Sequence, residues 1–248
     1  MDYEMFEDGF SYTSLGAIHF KHHPGIGEKL IFLHGLGGTT LVWKRLMEQM
    51  PDDLDIYLID LLGHGESDAP DIDYTVSAQF QALREFISLN NNGDSYIVGH
   101  SYGGWVAAYY ATQPYTCKGL VLEDIAGLKD EQDEVRASGA VKAKVDEATR
   151  VAMEEGNKDY VIKSILSALY TETEEQLTTQ SLSMIKSRTL VIWGAQDSVF
   201  PVKYGRALQD KIKGASLVVI ENADHDVNYE QPETVAKAIL GFIGRTTA

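Results

Sequence analysis

Residues 95–113 decide the fold of this chain, and they have the sequence Ser-Tyr-Ile-Val-Gly-His-Ser-Tyr-Gly-Gly-Trp-Val-Ala-Ala-Tyr-Tyr-Ala-Thr-Gln. A short apolar run leads into a G-x-S-x-G pattern centred on Ser101, and small residues at helical spacing follow. Between a strand and a helix, this pattern predicts a tight turn in which Gly99 and Gly103 remove side chains that would collide. Ser101 is therefore a candidate nucleophile at a helix N-terminus, where developing negative charge is favoured. The pentapeptide alone also fits a tight turn with a serine cap and no chemistry.

The rest of the chain alternates strand-like apolar runs with helical patterns. The apolar runs cover residues 29–33, 55–60, 96–98, 119–123, 189–193 and 216–220. Two shorter alternating runs within residues 3–22 predict antiparallel strands at a sheet edge. Strands that alternate with helices in this way predict an α/β protein, with a parallel sheet and helices on both of its faces.

Residues 128–186 differ in composition from the segments on either side. They are rich in Lys, Glu, Asp, Thr and Ser, they carry apolar residues at helical spacing, and they contain no strand-like run. We interpret them as a helical insertion between two strands, because nothing in them suggests a second domain with its own core.

Charge and composition narrow the function classes. The formal net charge of −16 argues against binding to nucleic acid or to an anionic membrane surface. The single cysteine, Cys117, allows no intramolecular disulfide, and neither a signal peptide nor a membrane-spanning run is apparent. We therefore expect a cytoplasmic protein, with the oligomeric state open between a monomer and a homodimer. His19, His22 and His23 lack partners at metal-ligand spacing, so we predict neither a metal site nor a cofactor.

A serine hydroxyl becomes a good nucleophile only when a nearby base takes its proton. Of the seven histidines, His225 lies in a polar loop just beyond the last predicted strand, with no evident structural duty, and we assign it the role of base. Asp197, just beyond the preceding strand, fits the carboxylate that orients the imidazole. Asp124, one strand earlier, and Asp224, beside the histidine, are rival candidates for that carboxylate.

Attack on a carbonyl also requires two N–H donors for the developing oxyanion. We expect the backbone N–H of Tyr102, which opens the helix after Ser101, to be one of them. The other is expected from Leu36, in the glycine-rich loop His34-Gly35-Leu36-Gly37-Gly38. This loop matches neither of the common phosphate-binding patterns, G-x-x-x-x-G-K-[ST] and G-x-G-x-x-G.

Five segments together resemble the α/β-hydrolase fold superfamily over essentially the whole chain. In order, they are residues 34–38, Asp60-Leu61-Leu62-Gly63-His64-Gly65-Glu66-Ser67, residues 99–104, Gly194-Ala195-Gln196-Asp197 and Asp224-His225. The resemblance implies a mostly parallel eight-stranded sheet with one antiparallel strand, flanked by helices. It also implies a core of residues 1–127 and 187–248, with a helical cap of residues 128–186 inserted after the sixth strand. The order Ser101, Asp197, His225 is that of the superfamily's catalytic triad.

The resemblance also implies a reaction, the hydrolysis of a small-molecule carboxylic ester through an acyl-enzyme on Ser101. A serine at this position speaks against the dehalogenases and epoxide hydrolases of the same fold, which use a carboxylate nucleophile. The short cap suggests a pocket for small to medium acyl groups, with Trp105, Ile165 and Leu169 among its candidate walls.

Two alternatives stay open at this point. Carbon–carbon bond hydrolases of ring-cleavage products, and a related lyase of menaquinone synthesis, resemble this chain in the same triad. Such enzymes usually carry an arginine near the site that handles their anionic substrate. Arg136 and Arg150 in the expected cap are available for that role. A ligand receptor on the hydrolase scaffold is the other alternative, since such receptors also keep their triads.

Overall fold

A computed structural model describes residues 1–90, 93–115, 117–130, 158–170 and 173–245, with side chains at all of these positions except 168–170. The strands of the described residues are β1 (Glu7–Thr13), β2 (Gly16–His23), β3 (Lys29–Leu33), β4 (Asp55–Ile59), β5 (Tyr96–His100), β6 (Gly119–Glu123), β7 (Thr189–Gly194) and β8 (Ser216–Ile220). They form one sheet in the order β1-β2-β4-β3-β5-β6-β7-β8. Strand β2 pairs antiparallel with β1 and β4, and the pairings from β4 to β8 are parallel. The predicted fold class is therefore confirmed.

Both faces of the sheet are buried, which explains the continuous apolar runs of the central strands. Leu30 and Phe32 of β3 belong to one core cluster, whereas Ile31 and Leu33 belong to the other. The helices are α1 (Lys44–Met47), α2 (Val76–Leu89), α3 (Ser101–Thr112), α4 (Asp159–Tyr170), α5 (Thr179–Leu182), α6 (Lys203–Lys211), α7 (Val227–Glu230) and α8 (Pro232–Phe242). Residues of α2, α3 and α6 contribute to one cluster, and residues of α1 and α8 to the other.

Local sequence explains where the helices begin. Thr75 caps α2, because its side-chain oxygen accepts a hydrogen bond from the Ala78 N–H at 3.1 Å. Before α1, residues Thr40–Trp43 form a 3₁₀ turn, and α1 itself is a single α turn. No described helix combines the length and the apolar character needed to cross a lipid bilayer.

The expected cap falls between β6 and β7. Helices α4 and α5 lie in this part of the chain, and Leu177 forms a parallel bridge with Leu128. Residues 131–157 and 171–172 lie outside the described residues, and with them Arg136 and Arg150. The division into a core and a cap at residues 128–186 therefore stays a prediction.

Candidate active site

Ser101 lies on the tight turn between β5 and α3. Its backbone φ of 50° is in the left-handed region, which residues with a side chain rarely adopt. A Cβ atom on Gly99 would lie 2.6 Å from the carbonyl oxygen of Gly103, and one on Gly103 would collide with the carbonyl oxygens of Leu33 and His34. The two glycines therefore let α3 approach β3 and β5 closely while the turn presents Ser101 at the end of its strand.

Two further side chains complete a chain of contacts from Ser101, and both lie on loops that follow neighbouring strands. His225 follows β8, and its Nε2 lies 3.0 Å from the Oγ of Ser101. The Nδ1 of the same ring lies 3.0 Å from the Oδ2 of Asp197, which follows β7. The structure thus brings together the three residues that the sequence selected, and a histidine joins the serine to the carboxylate.

Asp197 is held in place by its own loop. Its Oδ1 accepts hydrogen bonds from the N–H groups of Val199 and Phe200, both at 2.8 Å. The rival Asp224 instead accepts hydrogen bonds from the backbone N–H and the hydroxyl of Ser198. These contacts place Asp197, and not Asp224, against the imidazole of His225.

The other rival, Asp124, also lies near the site. It follows β6, is fully buried, and accepts a hydrogen bond from the Gly194 N–H at 2.8 Å. Asp124, Asp197 and His225 form a set of potential metal ligands whose ligand atoms all lie within 4.8 Å of one another. Both ring nitrogens of His225 already have hydrogen-bond partners in Ser101 and Asp197, so in this arrangement the ring has no nitrogen left for an ion.

The electrostatic surroundings of His225 favour its charged form. Burial opposes that charge most strongly, but the hydrogen bond to Asp197 and the negative charge of Asp197 act the other way. Asp226 and Asp224 add to the effect, and the pKa of His225 is raised above its ordinary value of 6.5. A base of this kind binds a proton more readily than a free imidazole does.

His100 contributes a contact that the sequence interpretation missed. Its Nε2 donates a hydrogen bond to the backbone carbonyl of His225 at 2.9 Å, and the two rings lie 5.1 Å apart. Burial, and next the positive charge of His225, lower the pKa of His100 to about 4, so His100 is neutral near pH 7. The residue before the serine therefore tethers the loop that carries His225. Nothing in the spacing of the two histidines along the chain signals this contact.

The loop after β3 reaches the serine from the other side. A Cβ atom on Gly35 would lie 3.2 Å from the Cβ of Ser101, so this backbone is in direct contact with the turn. The Gly35 carbonyl accepts hydrogen bonds from the His34 Nδ1 at 2.7 Å and from the Gly38 N–H at 3.1 Å. Since the Gly35 carbonyl and the Leu36 N–H belong to one planar trans peptide unit, they point in opposite directions.

The two predicted oxyanion donors have no acceptor among the described residues that would occupy them, and their role in an oxyanion hole stays a prediction. The Leu36 N–H makes no hydrogen bond to another described residue. Tyr102 is the second residue of α3, and the first N–H groups of a helix have no acceptor within it. His34 fixes the loop further, because its Nε2 accepts the Leu61 N–H at 2.9 Å. Burial lowers the pKa of His34, which keeps this nitrogen free of a proton and able to accept.

The predicted pocket residues lie in different surroundings. Trp105 is fully buried on α3, and its indole N–H donates to the Glu175 carbonyl at 2.9 Å. Ile165 is fully buried on α4. Leu169 lies on the same helix, at a position whose side chain is outside the described set. A role for these three residues in binding an acyl group stays a prediction.

Comparisons with known proteins identify the family and the fold. The model of the alpha/beta hydrolase family matches residues 30–238. A monoacylglycerol lipase, abhd6-A, from Xenopus laevis is 25% identical over 273 residues, which cover 94% of this chain and 79% of that protein. Two solved structures share the fold. A thermophilic esterase from Thermogutta terrifontis has a TM-score of 0.76, is 22% identical, and the match covers 96% of this chain and 98% of that one. A serine hydrolase involved in carbazole degradation has a TM-score of 0.78 at 24% identity, with the same coverage.

Proposed function

The chain belongs to the alpha/beta hydrolase family, and on that premise we propose that it is a serine esterase acting on carboxylic esters of small to medium acyl groups. The observation that carries the proposal is the single imidazole of His225, which lies 3.0 Å from both the Ser101 hydroxyl and the Asp197 carboxylate. The monoacylglycerol lipase from Xenopus laevis, matched over most of this chain, supports an ester as the substrate class.

Acylation uses each of these groups in turn. The Nε2 of His225 takes the proton of the Ser101 hydroxyl as its Oγ attacks the ester carbonyl carbon. The carbonyl oxygen becomes an oxyanion, and the N–H groups of Leu36 and Tyr102 stabilise it. Asp197 holds the neutral imidazole in the tautomer with the proton on Nδ1, and it stabilises the imidazolium that forms. When the intermediate collapses, the bond to the alcohol oxygen breaks and His225 returns the proton to the leaving alcohol.

Deacylation repeats the sequence with water as the nucleophile. His225 removes a proton from a water molecule that attacks the acyl carbon, and the same two N–H groups stabilise the second oxyanion. Collapse of that intermediate breaks the bond to the Ser101 Oγ, which recovers its proton from His225. The products are a carboxylic acid and an alcohol, and the enzyme returns to its starting state.

Hydrolysis of a series of p-nitrophenyl esters, from acetate to palmitate, tests the proposal. We expect turnover to be fastest on the short and medium chains, and to fall by about 10⁴-fold or more in Ser101→Ala. Ser183→Ala is the matched control, because Ser183 is exposed and its hydroxyl donates only to the Gln180 carbonyl.

Labelling with a fluorophosphonate separates the alternatives. If Ser101 is labelled but no ester turns over, the proposed ester substrate is wrong, and a carbon–carbon bond hydrolase or a receptor takes its place. A ring-cleavage product as substrate then separates the last two, because only the hydrolase turns it over repeatedly.

A further inference from the structure

A second carboxyl group lies beside the group of Ser101, His225 and Asp197. Asp124 follows β6 directly, its side chain is fully buried, and its backbone φ is 43°. One ligand atom from each of Asp124, Asp197 and His225 lies within 4.8 Å of the others. Asp124 is therefore part of the surroundings of the imidazole, although the mechanism above gives it no step.

The carboxyl groups of Asp197 and Asp124 differ in how many of their oxygens accept a hydrogen bond. Asp197 accepts two backbone N–H groups on Oδ1 and faces the Nδ1 of His225 with Oδ2, so both of its oxygens have donors. Asp124 accepts the Gly194 N–H on Oδ1, but its buried Oδ2 has no donor among the described residues. A buried carboxylate oxygen without a donor is costly. The cost disappears when that oxygen carries a proton and donates it.

Burial and the neighbouring negative charges also favour the protonated form of Asp124. Burial, and next the negative charge of Asp197, raise the pKa of Asp124 well above its ordinary range, and Glu123 adds to this. A negative charge on Asp124 would lie within 4.8 Å of Asp197 in a buried site, and a like charge this near disfavours ionisation of Asp124. The other charged groups that act on the imidazole are Asp226 and Asp224.

We propose that Asp124 is a positioning residue that stays protonated and donates a hydrogen bond to Asp197, so that the two carboxyl groups present one negative charge to His225. The inference rests on the proposed function in taking His225 as the base. The donated hydrogen bond shares the negative charge of Asp197, and so weakens its attraction for the imidazolium. The pKa of His225 is thereby kept closer to the working pH, where a general base is most effective.

The pH profile of kcat/KM for an ester substrate tests this role. In Asp124→Ala the donor is lost, so we expect the acid-side midpoint of the profile to rise by about 0.5–1 pH unit. In Asp124→Asn the side-chain amide donates in place of the carboxyl proton, and we expect the midpoint to return most of the way to the wild-type value. An ionised Asp124 predicts the opposite sign, since both variants then remove a negative charge and lower the midpoint. A downward shift, or no shift in either variant, overturns the proposal.

Infrared spectroscopy tests the protonation directly and needs no substrate. The measurement uses the Glu123→Gln variant, which removes another buried carboxyl group, one whose pKa burial raises to about 8. We expect this variant to show the C=O stretch of a protonated carboxyl group at neutral pH, and the double variant with Asp124→Asn to lose it. A band that persists in the double variant overturns the proposal. Because this readout is independent of activity, it also separates failure of the proposal from failure of the esterase function.

Discussion

Ser101 adopts a strained backbone conformation, and the strain is held in place by contacts between backbones. The tightest of these contacts is at Gly103 of α3. Its Cα packs against the carbonyl oxygens of Leu33, the last residue of β3, and of His34, the first residue of the following loop. A backbone carbonyl in the middle of a sheet cannot rotate aside as a flexible side chain does. The position of the serine therefore depends on a residue two places along the chain that has no side chain.

Gly103→Ala is expected to lower the free energy of unfolding by about 1–3 kcal/mol, because the added methyl group forces α3 away from β3. The same displacement moves Ser101 relative to His225, so activity should fall as well. Gly241→Ala is the matched control, since a Cβ atom there meets nothing within 4 Å and alanine favours a helix. Urea denaturation of both variants measures the difference. Equal midpoints in the two variants would contradict the proposed close approach.

The pH dependence of kcat/KM follows from His225. The base must be neutral to accept the serine proton, and its pKa lies above 6.5, so kcat/KM should fall on the acid side with a midpoint above 6.5. Asp197→Asn removes the main group that raises this pKa, so the midpoint should move down, and kcat should fall by about 10³–10⁴-fold. Asp226→Asn is the control, because the Asp226 side chain is 67% exposed and its effect on the midpoint should be smaller. If the midpoint is the same in Asp197→Asn, then a group other than His225 causes the fall of kcat/KM at low pH.

Among the secondary-structure elements, strand β6 ends in a buried carboxyl group, that of Glu123. Glu123 is fully buried, neither of its carboxyl oxygens has a hydrogen-bond partner among the described residues, and burial raises its pKa from 4.5 to about 8. The folded state therefore holds a proton here that the unfolded state releases between pH 4.5 and 8. Stability from this group is present at low pH and is lost as the pH rises through this window.

Glu123→Gln should remove that pH dependence. Between pH 6 and pH 8 the wild-type protein is expected to lose about 2 kcal/mol of unfolding free energy because Glu123 ionises. The total loss of the variant over this range should therefore be smaller by about 2 kcal/mol. Glu233→Gln, at an exposed position in the first turn of α8, should leave the slope as it is. Urea denaturation at several pH values gives the comparison. A slope unchanged by Glu123→Gln would mean that Glu123 is ionised in the folded protein at neutral pH.

Helix α2 depends on a residue from the segment between β6 and β7. The Glu175 carboxylate accepts the N–H groups of Val76 and Ser77, at 3.0 and 2.9 Å, in the first turn of α2. A negative charge at a helix N-terminus is favourable, and these two donors have no partner inside the helix. Glu175→Ala should therefore cost about 1–2 kcal/mol and speed amide exchange at Val76 and Ser77. Glu174→Ala, at the exposed neighbouring position, is the control. Unchanged exchange in Glu175→Ala would contradict the cap.

The elements differ in how well the sequence predicts them, and the reason is physical. Strand β3 is set by a local pattern, an unbroken apolar run, and the predicted bounds of residues 29–33 are those observed. Helix α2 also follows a local pattern, an amphipathic repeat that begins after the capping residue Thr75. The 3₁₀ turn at residues 40–43 is fixed from a distance, since the Thr40 N–H donates to the Asp60 carboxylate at 2.7 Å. The contact of His100 with the His225 carbonyl likewise joins residues 125 positions apart. No local pattern encodes such partners.

At the scale of the whole molecule, the net charge of −16 acts on every approaching ligand. A field of this sign leaves a neutral ester unaffected but repels an anionic substrate, and the repulsion reaches farthest at low ionic strength. The charge thus favours the proposed neutral ester over the anionic ring-cleavage products of the alternative function. The net charge of the whole protein causes this preference, and the catalytic groups around Ser101 play no part in it.

Salt dependence of turnover measures this effect. We expect kcat/KM for p-nitrophenyl butyrate to change little between about 10 mM and 150 mM NaCl, a range over which the Debye length falls from about 30 Å to about 8 Å. For an ester of similar size with a free carboxylate in its acyl chain, kcat/KM should rise severalfold over the same range, because salt screens the repulsion. The neutral ester serves as the control for any effect of salt on the fold or on the chemical step. If the anionic ester is instead turned over faster at low salt, the approach to Ser101 has a positive local field, and the substrate class moves toward anionic compounds.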